Sequence, residues 1–180
     1  MNPAHLDSAR AHPDLNAAPL DIVAALQNRA ASHPDRRALT FLVEGESEDA
    51  TLSYGQLDAR AREVAARIAA RVAPGERVLL LLPSGEDYVA AFFGCLYAGA
   101  IAVPLYPPRP NRRHERLAAV LDDCRPSLAV ANAATWTRAQ SALTEQVPLP
   151  WLVLDDAATG AEPDAWRAPD IAGADTAFLQ

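Results

Sequence analysis

The sequence contains no lysine; all 16 of its basic residues are arginine. That removes a phosphate-loop lysine, a Schiff-base lysine and a catalytic ammonium from the chemistry this chain can supply. Cysteine is nearly as scarce. Cys95 and Cys124 are the only two, and neither has the spacing of a metal ligand. Both lie in apolar helical stretches and read as buried free thiols. A chain of that kind belongs to a reducing compartment, here expected to be the cytoplasm. The histidines, at 5, 12, 33 and 114, are scattered, so no nucleophile–base pair or metal cluster emerges. Excess positive charge is missing as well. The formal charge of −7 argues against general nucleic-acid binding. The N-terminus, MNPAHLDSARAHPDLN, lacks the apolar core of a signal peptide. Val89 to Tyr106 is uncharged and approaches the length of a membrane span. Gly94, Gly99 and Pro104 interrupt it, and it is not read as one.

What is present is apolar material in an ordered pattern. Half of the 180 residues are hydrophobic, enough for one domain with a sizeable core. Residues 1–18 have no period and read as a flexible tail. Ile22, Val23, Leu26 and Ala30 share a helical face that ends before Pro34. Arg37 to Val43 reads as a strand, EGESEDA as a polar turn, and Thr51 to Tyr54 as the return strand of a hairpin. Ser53 and Gln56 have capping-box spacing. The helix they start carries Leu57, Ala61, Val64, Ala65, Ile68 and Val72 on one stripe, and Pro74-Gly75 stops it. Val78 to Leu82 is apolar without alternation, the mark of a strand covered on both faces. Ser84 is the expected cap of the next helix, whose Val89, Phe92, Phe93 and Leu96 should face the sheet.

Phe92 to Pro110, FFGCLYAGAIAVPLYPPRP, organises the rest. A helix stops at Gly99, a short buried strand runs from Ile101 to Leu105, and prolines force a rigid extended exit. Beyond it, Leu117, Val120, Leu121 and Cys124 mark an amphipathic helix. Ser127 to Ala131 reads as a strand, Ala133 to Glu145 as a weaker helix, and Trp151 to Leu154 as a strand. Residues 157–175 read as loop, and Thr176 to Leu179 as the start of a last strand. Strands alternating with helices imply an α/β fold with a mostly parallel sheet, flanking helices and an N-terminal hairpin. Asp155-Asp156 closes a strand, where ligands often sit in such sheets, but a solvated loop is the preferred reading of the pair. Val78–Leu82 and Ile101–Leu105 are expected to want later neighbours that the chain lacks, leaving an aggregation-prone edge.

CLYAGAIAVPLYPPRP resembles the corresponding motif of the adenylate-forming (AMP-binding) enzymes, and its YPPRP ending is most similar to the fatty acyl-AMP ligases. LSYGQL, about forty residues earlier, resembles that family's first core motif. The resemblance runs over residues 20–180 and implies that residues 19–180 are an incomplete N-terminal AMP-binding domain. It implies a parent enzyme that uses ATP and magnesium. That parent would convert a fatty acid into acyl-AMP and pyrophosphate, then pass the acyl group to an acyl carrier protein. The family's phosphate loop, later ATP motifs and C-terminal lysine are not in this sequence, so no catalytic residue is expected before Gln180 and the chain alone should be inactive. Tyr106 and Arg109 are candidate substrate-binding residues. Arg112, Arg113 and Arg116 are candidate carrier contacts; a solvated face paired with Glu115, Asp122 and Asp123 explains them too. The alternatives are a fragment of an acyl- or aryl-CoA ligase and a non-enzymatic α/β binding module. The coding DNA separates these classes. An open frame running past Gln180 into a Ser/Thr/Gly-rich loop is expected, whereas a native stop codon there would favour the binding module.

Overall fold

The computed structural model describes residues 21–43, 47–107, 115–137, 148–155 and 165–180, leaving out the side chains of 43, 47–49, 115 and 116. The expectation of a tail over 1–18 lies outside these residues. Helix α1, Ile22–Ser32, is capped by Asp21, whose carboxylate accepts the Ala24 N–H. Strands β1, Arg37–Val43, and β2, Ser47–Ser53, pair antiparallel as the expected hairpin. The return strand starts earlier than the polar residues suggest. Val43 pairs with Ser47 and Leu42 with Glu48, because backbone pairing needs no apolar side chain. Tyr54 is already the first residue of helix α2, Tyr54–Ala69, which opens with the expected capping box between Ser53 and Gln56.

The second sheet is the body of the fold. Strand β3, Arg77–Leu81, is flanked by β4, Ile101–Leu105, and by β5, Leu128–Ala131; β6, Trp151–Val153, lies beyond β5. All these pairings are parallel. Side chains of β3 alternate between two apolar layers. Val78 and Leu80, with Leu82 just beyond the strand, join the core built by α1, α2 and helix α3, Glu86–Tyr97. Leu79 and Leu81 join the core under helix α4, Glu115–Cys124, where Leu117 and Cys124 lie. A continuous apolar run is therefore what this strand needs. Each fully buried leucine contributes on the order of 2 kcal/mol.

The flanking of the strands differs from expectation. Both sides of β3 are paired within this chain, so β3 has no free edge. The outer side of β4 receives the C-terminal segment: Ala102 N–H donates to Ala177 O and Leu179 N–H to Ala102 O, forming a parallel bridge with Phe178. A helical turn covers residues 133–137, and the rest of the expected Ala133–Glu145 helix lies outside the described residues.

Helix α3 corrects two expectations. Gly85, and not Ser84, is its N-cap, without any side-chain cap hydrogen bond. Glu86 and Asp87 in the first turn supply the negative charge the exposed N–H groups favour. Its fully buried residues are Ala90, Ala91, Gly94, Cys95, Leu96 and Tyr97, while Val89, Phe92 and Phe93 are half-buried at the margin of the core. The reason is the neighbouring helix. α2 crosses so close that a Cβ on Gly94 would stand 2.6 Å from Val64 Cγ1. Small residues must occupy that contact, and the phenylalanines are displaced to its edges. Burial holds the Cys95 thiol protonated far above the usual thiol range, and raises Cys124 in the same direction. Gly94→Ala is expected to destabilise the chain by about 1–3 kcal/mol through overpacking. Gly173→Ala, which meets nothing within 4 Å, should be near neutral. Urea midpoints of the two variants check this; equal midpoints would mean that α2 and α3 can separate freely.

Candidate functional site

Parallel pairing brings the carboxyl ends of the strands to one edge. β3 and β4 end in register, with Leu81 opposite Leu105. Beyond them a cleft of about 210 Å³ is lined by Leu82, Ser84, Tyr88, Pro104, Leu105, Tyr106 and Gln180. Open α/β sheets bind ligands at this edge, because loops there can diverge without breaking the ladder. Tyr106 leaves β4 with 80% of its surface exposed, an unusual state for an aromatic side chain. Gln180 reaches the cleft because residues 177–179 are fastened along β4. A larger recess of about 530 Å³ adjoins it and shares Ser84 and Tyr88. Phe41, Leu42 and Ala50 of the hairpin form its other wall.

The polar groups at this edge are tied to one another. Asn132 Nδ2 donates to Asp87 Oδ2 at 3.1 Å, and Asn132 Oδ1 accepts the Thr135 N–H at 2.9 Å. Asp155 Oδ2 accepts the Ala133 N–H at 2.7 Å. Asn132 thus caps the helical turn at 133–137, and Asp155 takes a further N–H of its start; Asp156 lies outside the described residues. Arg60 pairs with Glu86 at 2.6 Å on the exposed rim. Arg67 was not suggested by the helical stripe of α2, since an arginine there reads as solvent-facing. It is buried, and its guanidinium donates to Val153 O at 2.6 Å and Leu154 O at 2.7 Å. It thus satisfies carbonyls at the end of β6 and pins that end to α2. Among the described residues no group of three or more His, Cys, Asp or Glu side chains converges as a metal site. Among the described residues, too, no helix is long and apolar enough to cross a membrane.

Of the sequence-derived candidates, Tyr106 lies in the cleft. Arg109, Arg112 and Arg113 lie outside the described residues. Arg116 belongs to the first turn of α4, with its side chain outside the described set. Ser84, Tyr88 and Gln180 are cleft residues that sequence reasoning did not select. The available signal was positional: Ser84 follows the end of a central parallel strand, where the rule for open sheets applies.

Comparison with known proteins adds the family. The family model described as AMP-binding enzyme matches residues 26–180. A medium-chain-fatty-acid–[acyl-carrier-protein] ligase, JamA of Moorena producens, is 36% identical over 166 residues, covering 88% of this chain and 28% of that protein. A long-chain-fatty-acid–AMP ligase, FadD32 of Mycolicibacterium smegmatis, is 38% identical over 165 residues, covering 88% of this chain and 26% of that protein. The chain thus spans little more than a quarter of these relatives. The crystal structure of fatty acyl-adenylate ligase from L. pneumophila in complex with acyl adenylate and pyrophosphate superposes with a TM-score of 0.78 at 32% identity. That match covers 89% of this chain and 27% of the other.

The geometry separates the edge residues by what they do for stability. Asp155→Ala, which removes the acceptor of the Ala133 N–H, is expected to cost about 1 kcal/mol. Tyr106→Ala should change stability by less than about 0.5 kcal/mol. Chemical denaturation of both variants tests this; a large loss at Tyr106 would make it a packing residue and remove it from the candidate site.

Proposed function

Because the chain belongs to the AMP-binding enzyme family, we propose that it is the N-terminal part of a fatty acyl-AMP ligase. The observation that carries the reading is the close superposition on a ligase holding acyl adenylate and pyrophosphate. The open cleft at the carboxyl edge of the parallel sheet, with Tyr106, Ser84, Tyr88 and Gln180 on its walls, supports it. In the proposed reaction a fatty-acid carboxylate oxygen attacks the α-phosphorus of ATP. The bond to the bridging oxygen breaks and pyrophosphate leaves. A carrier-protein thiolate then attacks the acyl carbon, and AMP leaves.

Negative charge builds on phosphate oxygens in the first step, and preorganised donors must meet it. This chain has no lysine to contribute. The described residues do not suit a magnesium ion either. Asp87 is engaged by Asn132 and Asp155 by a backbone N–H, and no third ligand converges on them. No step is assigned to a metal held by these residues. What this part of the enzyme contributes is a rigid sheet edge, an aromatic wall and the entry of the chain into the rest of the site.

For the second step the proposed acceptor is an acyl carrier protein, as in the name of the Moorena relative. Tyr106-Pro107-Pro108-Arg109-Pro110 restricts the exit from β4 at low entropic cost. Arg109 belongs to that stretch, Arg112 and Arg113 follow it in sequence, and Arg116 is in the first turn of α4. A cluster of positive charge so close in sequence to Tyr106 would speed encounter with an acidic carrier.

Three outcomes are expected. The 180-residue chain alone should give no fatty-acid-dependent pyrophosphate exchange above background; exchange above background would mean that the site is complete here. In the whole ligase, labelled fatty acid should pass to a carrier protein and not to free coenzyme A. There, Arg112→Glu with Arg113→Glu should slow carrier acylation about tenfold while acyl-AMP formation is unchanged. Efficient acyl-CoA formation with no label on a carrier would sink the acceptor assignment, and equal loss of both steps would make the arginines structural.

A further inference from the structure

Residues 165–176 contain no strand and little helix, yet they are fastened at several points. Trp166 is the first. Its ring lies 5.1 Å from that of Tyr97, and its Nε1–H donates to Tyr97 O at 2.8 Å. That carbonyl sits in the last turn of α3, where helical partners run out, so the indole completes the helix end. Tyr97 is fully buried, and its hydroxyl donates to Asp58 Oδ1 at 2.6 Å. Burial, with that hydrogen bond to a carboxylate, raises the phenol above its ordinary range. Asp58 Oδ2 accepts from Arg62 Nε at 2.7 Å, and the Arg62 guanidinium lies 4.6 Å over the Trp166 ring. The loop of interactions closes on itself: indole to α3 carbonyl, phenol to carboxylate, carboxylate to guanidinium, guanidinium to indole.

From this anchor the segment runs over the α3–β4 corner, with Ile171 and Pro169 against Gly99. Asp175 closes a turn with Ala172 through two hydrogen bonds. The chain then reaches β4, where Ala102 makes the two backbone hydrogen bonds described above and Phe178 stands edge-on to Phe92 at 5.7 Å. Phe178 and Leu179 are both exposed. A bridge this short has only two backbone hydrogen bonds to fix its own height along β4.

We infer that Trp166, held by Tyr97, Asp58 and Arg62, is a positioning residue that sets where residues 176–180 lie against β4, and hence where Gln180 stands in the cleft with Tyr106 and Ser84. The catalytic consequence rests on the adenylation reading, but the positioning itself does not. Amide hydrogen exchange on the 180-residue chain tests it directly. In Trp166→Ala the Leu179 and Ala102 amides should exchange about tenfold faster or more, while those of β5 keep their rates. Trp166→Phe, which keeps a ring and loses the donor, should give a smaller rise at the same amides. Arg62→Leu, which removes the stacked cation from a partly exposed site, serves if Trp166→Ala does not fold. In the whole ligase, Trp166→Phe should lower kcat for acyl-adenylate formation several-fold with an unchanged unfolding midpoint. Faster exchange across the entire sheet, or no change at Leu179 and Ala102, overturns the inference, and so does a kcat loss matched by a lower midpoint. If the unaltered ligase forms no acyl-adenylate, the functional reading fails and the exchange result alone decides the positioning.

Discussion

The fold turns on the reversal at Gly99. Helix α3 must end and β4 must begin within a few residues, and Gly99 accomplishes this with φ at +68°, a region where a side chain would be strained. Ala100 N–H returns to Cys95 O, Gly99 N–H to Leu96 O, and Gly75 N–H to Gly99 O. The last bond ties the turn before β3 to the turn before β4, so the two strands start level and end level. A residue with a Cβ at 99 would be strained in φ and would also press on Ile171 at 3.0 Å. One position therefore governs the helix stop, the register of the central strands and the passage of the C-terminal segment.

The two faces of the sheet are unequal in their construction. On the side of α1–α3 the core is continuous, from Leu26 through Val64 and Cys95 to Leu152. Close helix approach there depends on small residues, and the buried Arg67 guanidinium donates to the Val153 and Leu154 carbonyls. Glu76 at the opposite end of the sheet is likewise held by hydrogen bonds. The Ala73 N–H and then the Ser127 hydroxyl hold its carboxyl below the usual range, fixing the turn into β3. Arg77 completes that end by donating to Cys124 O and Arg125 O, the carbonyls where α4 stops. The amino end of the sheet is closed by internal bonds, whereas the carboxyl end opens on a cleft.

The hydrophobic pattern made most of this legible. A strand over Ile101–Leu105, the capping box at Ser53 and the two-sided burial of β3 follow from residue type and spacing alone. Where the reading departed from the structure, tertiary contacts had overridden local preference. Ser84 lost the cap to Gly85, and Val89, Phe92 and Phe93, expected to face the sheet, are only partly buried against the core, while Gly94 is buried where α2 lies nearest. The candidate site was less legible. Tyr106 could be picked out beside its prolines, but Ser84, Tyr88 and Gln180 converge only through parallel register. Arg67 and Trp166 were hidden for a further reason. Their partners are backbone carbonyls distant in sequence, and no pattern of side chains announces a carbonyl.

The strand order has a consequence for how the protein comes into being. β3 emerges from synthesis before either of its partners, since α3 separates it from β4 and α4 separates it from β5. The hairpin and α2 can form from neighbouring residues as they appear, but the most apolar strand must wait. During that interval Leu80 can lie against α2, which is already made, whereas Leu79 and Leu81 belong to the layer that α4 will cover. A chain interrupted after β4 would therefore leave one face of its central strand bare, and α4 is the element that closes it.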